Sequence, residues 1–402
     1  MFLNEFINLV WIIGIITYMS IFNKKFNYNS YITIIGLSSI YILPEIISND
    51  TIIYILSIIM IKEIVERKEL SRDISIGIII TIVGSIIIIH SNEYITTYIG
   101  IEMQTLPYYW IISGTKTTSS LESGIKYYSQ TAISTSMILM GIIYNYKYNG
   151  NNNINNINND ISIKLIEFGI IWKIGLVPMH YWIFEVYQGT NSYSIIGLST
   201  YIKYSMVIIG ITIISISNNK IIIIASLLSI LIGGIIGIID NNIKRLQGSS
   251  TLMNMGWIMV SIGNIKNEKS IKEYMVIYMI CAIVIIEELT TRKWLIEIKG
   301  SRNQLQWSIP MLISMMGIPP IIMFYMKLNI LKLIIDSNNI ILAWLIITVS
   351  LIGIYMYYRI LITIWLKKIN LKKHDRINQG IIREIIIIII LTLGIIPEIV
   401  IY

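Results

Sequence analysis

Four charged side chains lie within long apolar stretches of the sequence: Glu102, Lys173, Lys203 and Lys327. A charge in the middle of a lipid bilayer costs about 2.5 to 3.5 kcal/mol on insertion scales, so such residues are rare and usually functional. Burial lowers the pKa of an amine and a nearby carboxylate raises it, which lets a lysine load and release a proton. The four residues therefore predict a proton path, with Glu102 and Lys173 as a direct or water-bridged pair.

Two other basic residues within apolar stretches have a structural interpretation. Arg359 lies toward the basic end of its stretch, where a long side chain can reach the membrane surface. Lys332 lies near the end of its stretch, shortly before Asp336, and we expect a local pair or the same extension toward water. Neither is predicted to belong to the proton path.

The composition is that of a membrane protein. The 402 residues are 55% hydrophobic and 13% charged, and the mean hydropathy is +0.70, which excludes a soluble enzyme. Isoleucine, asparagine and tyrosine are abundant and alanine is rare. This bias is typical of AT-rich codons and favours an organelle-encoded protein. The single cysteine, Cys281, cannot hold an iron–sulfur cluster or a structural zinc ion, so any redox cofactor is expected on another chain.

Apolar stretches of about 18 to 25 residues, the length that crosses a bilayer, recur along the whole chain. They predict an all-α polytopic membrane protein with about fourteen transmembrane helices. The predicted spans lie near residues 6–23, 31–48, 51–65, 74–91, 94–113, 121–145, 161–197, 198–217, 220–239, 248–264, 270–291, 305–335, 339–366 and 381–401.

Two of these spans are predicted to be broken helices. The seventh is too long for one helix and contains a polar stretch from His180 to Ser194, and the twelfth contains Pro310, Pro319 and Pro320. Breaks are tolerated in a membrane only where the backbone faces protein or water. Lys173 and Lys327 lie at these breaks, so each half of the chain has a broken helix with a lysine.

The basic residues predict the orientation. Most of the 31 Lys and Arg residues fall in loops after odd-numbered spans. The positive-inside rule places these loops on the matrix or cytoplasmic face and both termini on the opposite face. This topology accounts for the net charge of +8 without a nucleic-acid partner.

Four segments carry a resemblance to a known family. They are HSNEYITTYIGIEMQTLPYYWI, IIWKIGLVPMHYWIFEVYQGTNSYSIIGLSTYIKYS, NNIKRLQGSSTLMNMGWIMVSIG and MLISMMGIPPIIMFYMKLNIL. In this order they resemble the antiporter-like proton-channel subunits of respiratory complex I, from about residue 88 to 335. The stretch after His180 and the lysine at position 327 resemble the subunit 2 branch rather than subunits 4 and 5. Asn191 and Ser192 depart from a proline-bearing stretch that is frequent in the family.

The resemblance implies a domain organisation with two inverted five-helix repeats. Residues 1–73 would form N-terminal helices. Residues 74–217 would form the first antiporter-like repeat, with its broken helix near 173–194, and residues 218–366 the second, with its broken helix near 317–327. Residues 367–402 would form a matrix loop and a C-terminal helix.

The resemblance also implies roles for single residues. Glu102 resembles the glutamate of the fifth helix, Lys173 the lysine of the broken seventh, Lys203 the central lysine of the eighth, and Lys327 that of the broken twelfth. In the family they form a hydrated polar axis coupled to quinone reduction elsewhere. His180 is a further candidate relay residue, and the resemblance favours a structural or relay role for it over a metal site with Glu185.

The implied setting is a multi-pass protein of the mitochondrial inner membrane, with both termini toward the intermembrane space. Its partners would be lipids and other membrane-arm subunits, including neighbouring antiporter-like subunits. FMN, iron–sulfur clusters and ubiquinone would be bound by other chains. Two alternatives remain open: a subunit of a multi-subunit sodium/proton antiporter, and a structural membrane subunit without a proton path.

Overall fold

A computed structural model describes residues 72–150, 154, 160–214, 220–264, 267–290, 292–298, 308–319 and 321–365. The first three predicted spans, the last one and the predicted positions of both termini lie outside these ranges. Within them the elements of regular structure are helices, with isolated β-bridge residues at Glu93 and between Asn242 and Trp294.

Thirteen α-helices and a short 3-10 helix are present in the described ranges. They are α1 (Arg72–His90), α2 (Tyr94–Ser113), α3 (Thr118–Asn149), α4 (Asp160–Ile174), α5 (Tyr181–Gly189), α6 (Ser192–Ser199), α7 (Tyr201–Ile214), α8 (Lys220–Ile239), α9 (Ile243–Asn264), α10 (Glu268–Leu289), the 3-10 helix Leu295–Ile298, α11 (Ser308–Met316), α12 (Ile322–Asp336) and α13 (Ile340–Trp365).

Three helical stretches in the described part are long and apolar enough to cross a membrane. They are Ser192–Ile214, Lys220–Ile239 and Ile340–Trp365. At 1.5 Å per residue, a helix of about 20 residues spans the 30 Å hydrocarbon core. The bounds of α2 and α8 agree with the spans predicted at 94–113 and 220–239.

The helices form two compact units. Among the described residues, the first comprises those in the ranges 72–170 and 189–209, and the second those in the ranges 171–188 and 210–365.

Glycines bring helices of the first unit together. A Cβ on Gly84 of α1 would lie 2.8 Å from the backbone nitrogen of Gln104 and 2.9 Å from the carbonyl oxygen of Gly100 in α2. The α3–α4 pair repeats this arrangement, since a Cβ on Gly141 would lie 2.9 Å from the carbonyl oxygen of Ser162. Small residues at helix crossings are typical of membrane proteins, where close backbone packing replaces the hydrophobic effect.

The close approach at Gly84 makes a testable prediction. We expect Gly84→Ala to destabilise the folded chain by about 1–3 kcal/mol, because the new methyl group meets backbone atoms that cannot rotate away. Gly77→Ala, on the same helix, is the matched control, because its Cβ would meet the flexible side chain of Ile111 at 3.2 Å. The midpoint of thermal inactivation should fall more for Gly84→Ala; equal midpoints would contradict this account of the α1–α2 contact.

In the second unit, the segment that precedes α9 and the segment that precedes the 3-10 helix meet at one end. The backbone nitrogen of Ile243 donates to the carbonyl oxygen of Lys293 at 3.2 Å, and that of Leu295 donates to Asn241 at 3.0 Å. Arg359 of α13 donates to the carbonyl oxygens of Ile238 and Asp240 in the same region. The guanidinium therefore satisfies carbonyls at the end of α8, in keeping with the structural role predicted for Arg359.

Both predicted breaks are present. Helix α4 ends at Ile174, Gly175 adopts a left-handed conformation with φ of 81°, and α5 begins at Tyr181. Helix α11 ends at Met316, Gly317 has φ of 75°, and α12 begins at Ile322. A glycine after the C-terminal end of each helix adopts this left-handed conformation without the steric clash that a Cβ atom would cause.

One predicted boundary is wrong. The seventh span was predicted to extend to residue 197 and the eighth to start at 198, but the second apolar stretch begins at Ser192. Asn191 is extended, so a new helix starts after it, and the hydroxyl of Ser194 donates to the carbonyl oxygen of Asn191 at 2.7 Å. Thr200 interrupts this stretch for one residue, since its hydroxyl donates to the carbonyl oxygen of Ile196 at 2.6 Å.

Candidate functional site

Glu102 lies on α2 in the first unit and is partly buried. The hydroxyl of Thr105, one turn further along the helix, donates to its carboxylate at 3.4 Å. Tyr98 lies one turn earlier on the same helix. The helix thus carries hydroxyl groups one turn before and one turn after the charge, as the spacing of three and four residues allows.

Lys203 of α7 is also in the first unit, with 3% of its surface exposed. Its Nζ atom is buried and has no hydrogen-bond partner among the described residues. Ser205 lies two residues after Lys203, and its hydroxyl accepts a hydrogen bond from the side-chain amide of Gln104 in α2 at 3.0 Å. Glu102 is likewise two residues from Gln104, so Glu102 and Lys203 lie within about one helical turn of the same depth.

Lys173 lies in the last turn of α4, in the second unit, and is 5% exposed. The C-terminal end of a helix carries a partial negative charge from carbonyls without intrahelical partners, which favours an ammonium group. The helix ends one residue later, at Ile174, and the glycine turn follows at Gly175, so Lys173 lies within the turn that carries this partial charge.

His180 follows the same break and is 2% exposed. Its Nδ1 atom lies 3.1 Å from the carbonyl oxygen of Pro178, which can only accept, so Nδ1 carries a proton. Its Nε2 atom is buried without a hydrogen-bond partner among the described residues. In the neutral ring Nε2 is then a buried acceptor, which suits a residue that takes up a proton.

Lys327 is held by the second broken helix. It lies about one and a half turns into α12, and helical side chains lean toward the N-terminus, so its stem extends back across the break. Its Cδ atom lies 3.2 Å from the position of a Cβ on Gly317. Its Nζ atom donates to the carbonyl oxygen of Met315, in the last turn of α11, at 2.9 Å. A carbonyl freed by the break therefore binds the ammonium group.

A small cavity lies beside Lys327. It is lined by Trp257, Asn254, Met315, Tyr357 and Lys327 itself, among others, and its volume of about 20 Å³ has room for about one water molecule. The Nζ atom of Lys327 lies 5.7 Å from the centre of the Trp257 ring. The ring face and the carbonyl together stabilise a positive charge while the cavity gives it access to water.

The predicted residues thus fall into two groups. Glu102 and Lys203 belong to the first unit, and Lys173, His180 and Lys327 belong to the second. The partners of the predicted Glu102–Lys173 pair lie in different units, and their approach stays a prediction.

The polar residues around Lys327 were missed by the sequence reasoning. Asn254 and Tyr357 line the cavity, yet neither was predicted to be functional. The sequence does contain a signal for Asn254, because a side-chain amide in the middle of a predicted membrane span, here the span that contains Trp257, is expected to need a hydrogen-bond partner. Groups of three or more His, Cys, Asp or Glu side chains that could hold a metal ion do not occur among the described residues.

Comparison with known proteins identifies the class. A family model described as NADH:quinone oxidoreductase/Mrp antiporter, transmembrane, matches residues 91–353. The chain belongs to this family of antiporter-like membrane subunits.

Relatives identify the branch. NADH-ubiquinone oxidoreductase chain 2 of Myxine glutinosa is 27% identical over 284 residues, which cover 69% of this chain and 81% of the relative. NADH-quinone oxidoreductase subunit N of Ruthia magnifica subsp. Calyptogena magnifica is 26% identical over 361 residues, which cover 80% of this chain and 74% of the relative. The resemblance to subunit 2 of complex I, predicted from the four segments, is confirmed.

Solved structures have the same fold. A chain of respiratory complex I from Thermus thermophilus superposes with a TM-score of 0.84 at 15% identity, covering 97% of each chain. A chain of the Mrp complex from Dietzia sp. DQ12-45-1b has a TM-score of 0.70 at 14% identity, covering 94% of this chain and 78% of that one. These structures show the fold, and the family match and the relatives together make the protein an antiporter-like membrane subunit of the kind found in complex I-type assemblies.

Proposed function

We propose that the chain is a proton-translocating membrane-arm subunit of NADH:ubiquinone oxidoreductase. Glu102, Lys173, Lys203 and Lys327 relay protons along the membrane, and quinone is reduced elsewhere in the complex. The observation that carries this proposal is the setting of Lys327. A single ammonium group meets a freed helix carbonyl, an aromatic ring and a water-sized cavity inside an apolar protein.

This setting suits a group that exchanges protons. The carbonyl of Met315 and the Trp257 ring stabilise the charged amine, whereas the surrounding apolar side chains favour the neutral one. The two forms are therefore closer in free energy than in water, and a change in a neighbouring charge can shift the balance. The cavity provides the water that takes or returns the proton.

The first unit supplies a second group of the same kind. Lys203 is buried without a hydrogen-bond partner among the described residues, and Glu102 lies at similar depth on α2, which is joined to α7 by the hydrogen bond between Gln104 and Ser205. When a carboxylate gains or loses its charge, it changes the free energy of the protonated form of a lysine in the same low-dielectric region. Glu102 thus acts as the switch for the lysines, including Lys173 through the predicted pair, and His180 extends the path at the first break.

The redox groups belong to other chains in this proposal. FMN, iron–sulfur clusters and ubiquinone are bound elsewhere in the complex. The sequence supports this for the clusters, since its one cysteine, Cys281, cannot ligate a cluster alone. The thiol of Cys281 is buried and contacts the hydroxyl of Ser314 at 3.6 Å, as expected of a residue that packs between helices.

We place the protein in the mitochondrial inner membrane, with both termini toward the intermembrane space. Support comes from the second unit, where Arg245 in the first turn of α9, the segment that contains Arg292, and Arg359 lie at one end. At α9's other end, the uncharged Asn264 donates to Ser337 at 2.8 Å. The basic end faces the matrix by the positive-inside rule.

The alternative is a subunit of a multi-subunit sodium/proton antiporter, and the similarity to a chain of the Mrp complex is the observation that favours it. Isolation of the protein with its partners in mild detergent would distinguish the two proposed functions. We expect NADH-dependent quinone reduction, and proton uptake coupled to it after reconstitution into vesicles. Partners without NADH oxidation, together with sodium-driven proton movement, would instead establish the antiporter.

A further inference from the structure

A buried hydrogen-bond cluster is centred on Asn254 of α9, which is 2% exposed. Its amide nitrogen donates to the carbonyl oxygen of Ser250 at 2.8 Å and to the hydroxyl of Tyr357 at 3.3 Å. Its amide oxygen accepts from the hydroxyl of Tyr274 at 3.0 Å. Both amide hydrogens and the oxygen are thus engaged, so the orientation of Asn254 is set by residues of three helices: α9, α10 and α13.

The cluster fixes the hydroxyl group of Tyr357. This oxygen accepts the amide hydrogen of Asn254 and also lies 2.7 Å from the hydroxyl of Ser250. A tyrosine hydroxyl has one hydrogen and two lone pairs, so these two contacts leave it one further hydrogen-bonding position. Tyr357 lines the cavity beside Lys327, and water in the cavity can occupy that position.

Helix packing alone gives a weaker explanation of this cluster. Polar contacts between membrane helices do stabilise bundles, by about 0.6 kcal/mol on average. Such contacts need only satisfy one another, and an apolar side chain could fill the same space. Here Asn254 and Tyr357 instead line a cavity of about 20 Å³ together with a charged lysine.

We propose that Tyr357 and Asn254 serve the proton path at Lys327: Tyr357 holds the water that exchanges protons with Lys327, and Asn254 positions Tyr357. This inference rests on the proposed function of Lys327. In the exchange, the Nζ atom of Lys327 loses a proton and becomes a neutral amine. The water gains that proton and passes one of its own to the next water molecule of a hydrated path. Tyr357 keeps its own proton and stays neutral.

The test compares two tyrosines of α13 in the assembled complex. Tyr357→Phe removes one hydroxyl and keeps the ring, and Tyr358→Phe is the matched control because Tyr358 is 53% exposed. We expect Tyr357→Phe to assemble, to lose this subunit's share of the proton-to-electron ratio, and to shift the pH profile of quinone reduction. Tyr358→Phe should leave both quantities unchanged. A residue that only packs would not move the pH profile of an assembled complex.

The role of Asn254 is tested by combination. If Asn254 acts through Tyr357, Asn254→Leu combined with Tyr357→Phe should lower the proton-to-electron ratio no further than Tyr357→Phe alone. Additive losses would show that Asn254 acts independently. Should Tyr357→Phe fail to assemble, Ser250→Ala removes the other hydroxyl contact of Tyr357, and we expect the same loss and pH shift.

The outcomes separate this inference from the proposed function. If Lys327→Ala removes proton translocation while Tyr357→Phe keeps the ratio and the pH profile, the inference about Tyr357 is wrong and the role of Lys327 stands. If Lys327→Ala itself leaves the ratio unchanged, the proposed function fails.

Discussion

Replacement of Lys327 by alanine is expected to abolish most proton translocation by this subunit and to lower the coupled reduction of quinone. The substitution removes the ammonium group that donates to Met315 and lies over the Trp257 ring, and it leaves the cavity without an amine. A relay cannot pass a proton through a site that no longer binds one. The proton-to-electron ratio of the complex in sealed vesicles measures the effect.

Lys332 provides the control on the same helix. It lies more than a turn beyond Lys327 on α12 and is exposed, so Lys332→Ala should change the ratio little. Exposed charges contribute about 0–1 kcal/mol through their pairs, and assembly should also be retained. If the two variants lowered the proton-to-electron ratio equally, proton translocation would depend on the total charge of α12 rather than on the site at the break.

Lys327→Arg distinguishes charge from proton exchange. The guanidinium can still donate to a helix carbonyl and stack on an aromatic ring, but it does not lose its proton in a protein. We expect this variant to assemble better than it pumps. If Lys327→Ala complexes assembled normally and kept an unchanged proton-to-electron ratio, the relay role would be refuted and a structural role would remain.

The breaks that position these lysines could be predicted because they have strong local signals. Pro310, Pro319 and Pro320 interrupt an apolar stretch, and a polar segment follows Lys173. These features are incompatible with a continuous membrane helix, since each freed backbone group needs a partner. The charged residues could be predicted to be functional for a similar reason. An ionisable side chain within an apolar, membrane-spanning stretch is energetically costly, so it is rarely present without a role.

The partners of the lysines could not be predicted in the same way. Lys327 donates to a backbone carbonyl of Met315, and every residue has a carbonyl, so the side chain of Met315 carries no sign of this role. Asn254 and Tyr357 are 103 positions apart in the chain. Their contact depends on how α9 and α13 pack, which a single sequence does not encode in any local pattern. The start of the second apolar stretch at Ser192 was missed because serine and asparagine occur equally in loops and at helix starts.

Replacement of Lys203 by methionine is expected to separate stability from function. The ammonium group of Lys203 is buried and has no hydrogen-bond partner among the described residues, so the fold bears the cost of its desolvation. Methionine keeps an unbranched stem of similar length and removes the amine. We therefore expect the variant complex to be as stable as the parent, or more stable by about 0.5–2 kcal/mol, the range of typical stabilising substitutions.

The same variant should lose proton translocation, because methionine has no group that binds a proton at neutral pH. The control is Lys220→Met at the start of α8, where the side chain is exposed, and both stability and translocation should stay unchanged. Thermal inactivation midpoints and proton-to-electron ratios would be measured on the same preparations. A Lys203→Met complex that is stable and still pumps would exclude Lys203 from the path. One that fails to assemble would show that the amine supports the fold. If Lys203 is a relay residue, the variant should keep its stability and lose proton translocation. If Lys203 serves only packing, methionine should replace it without loss of function.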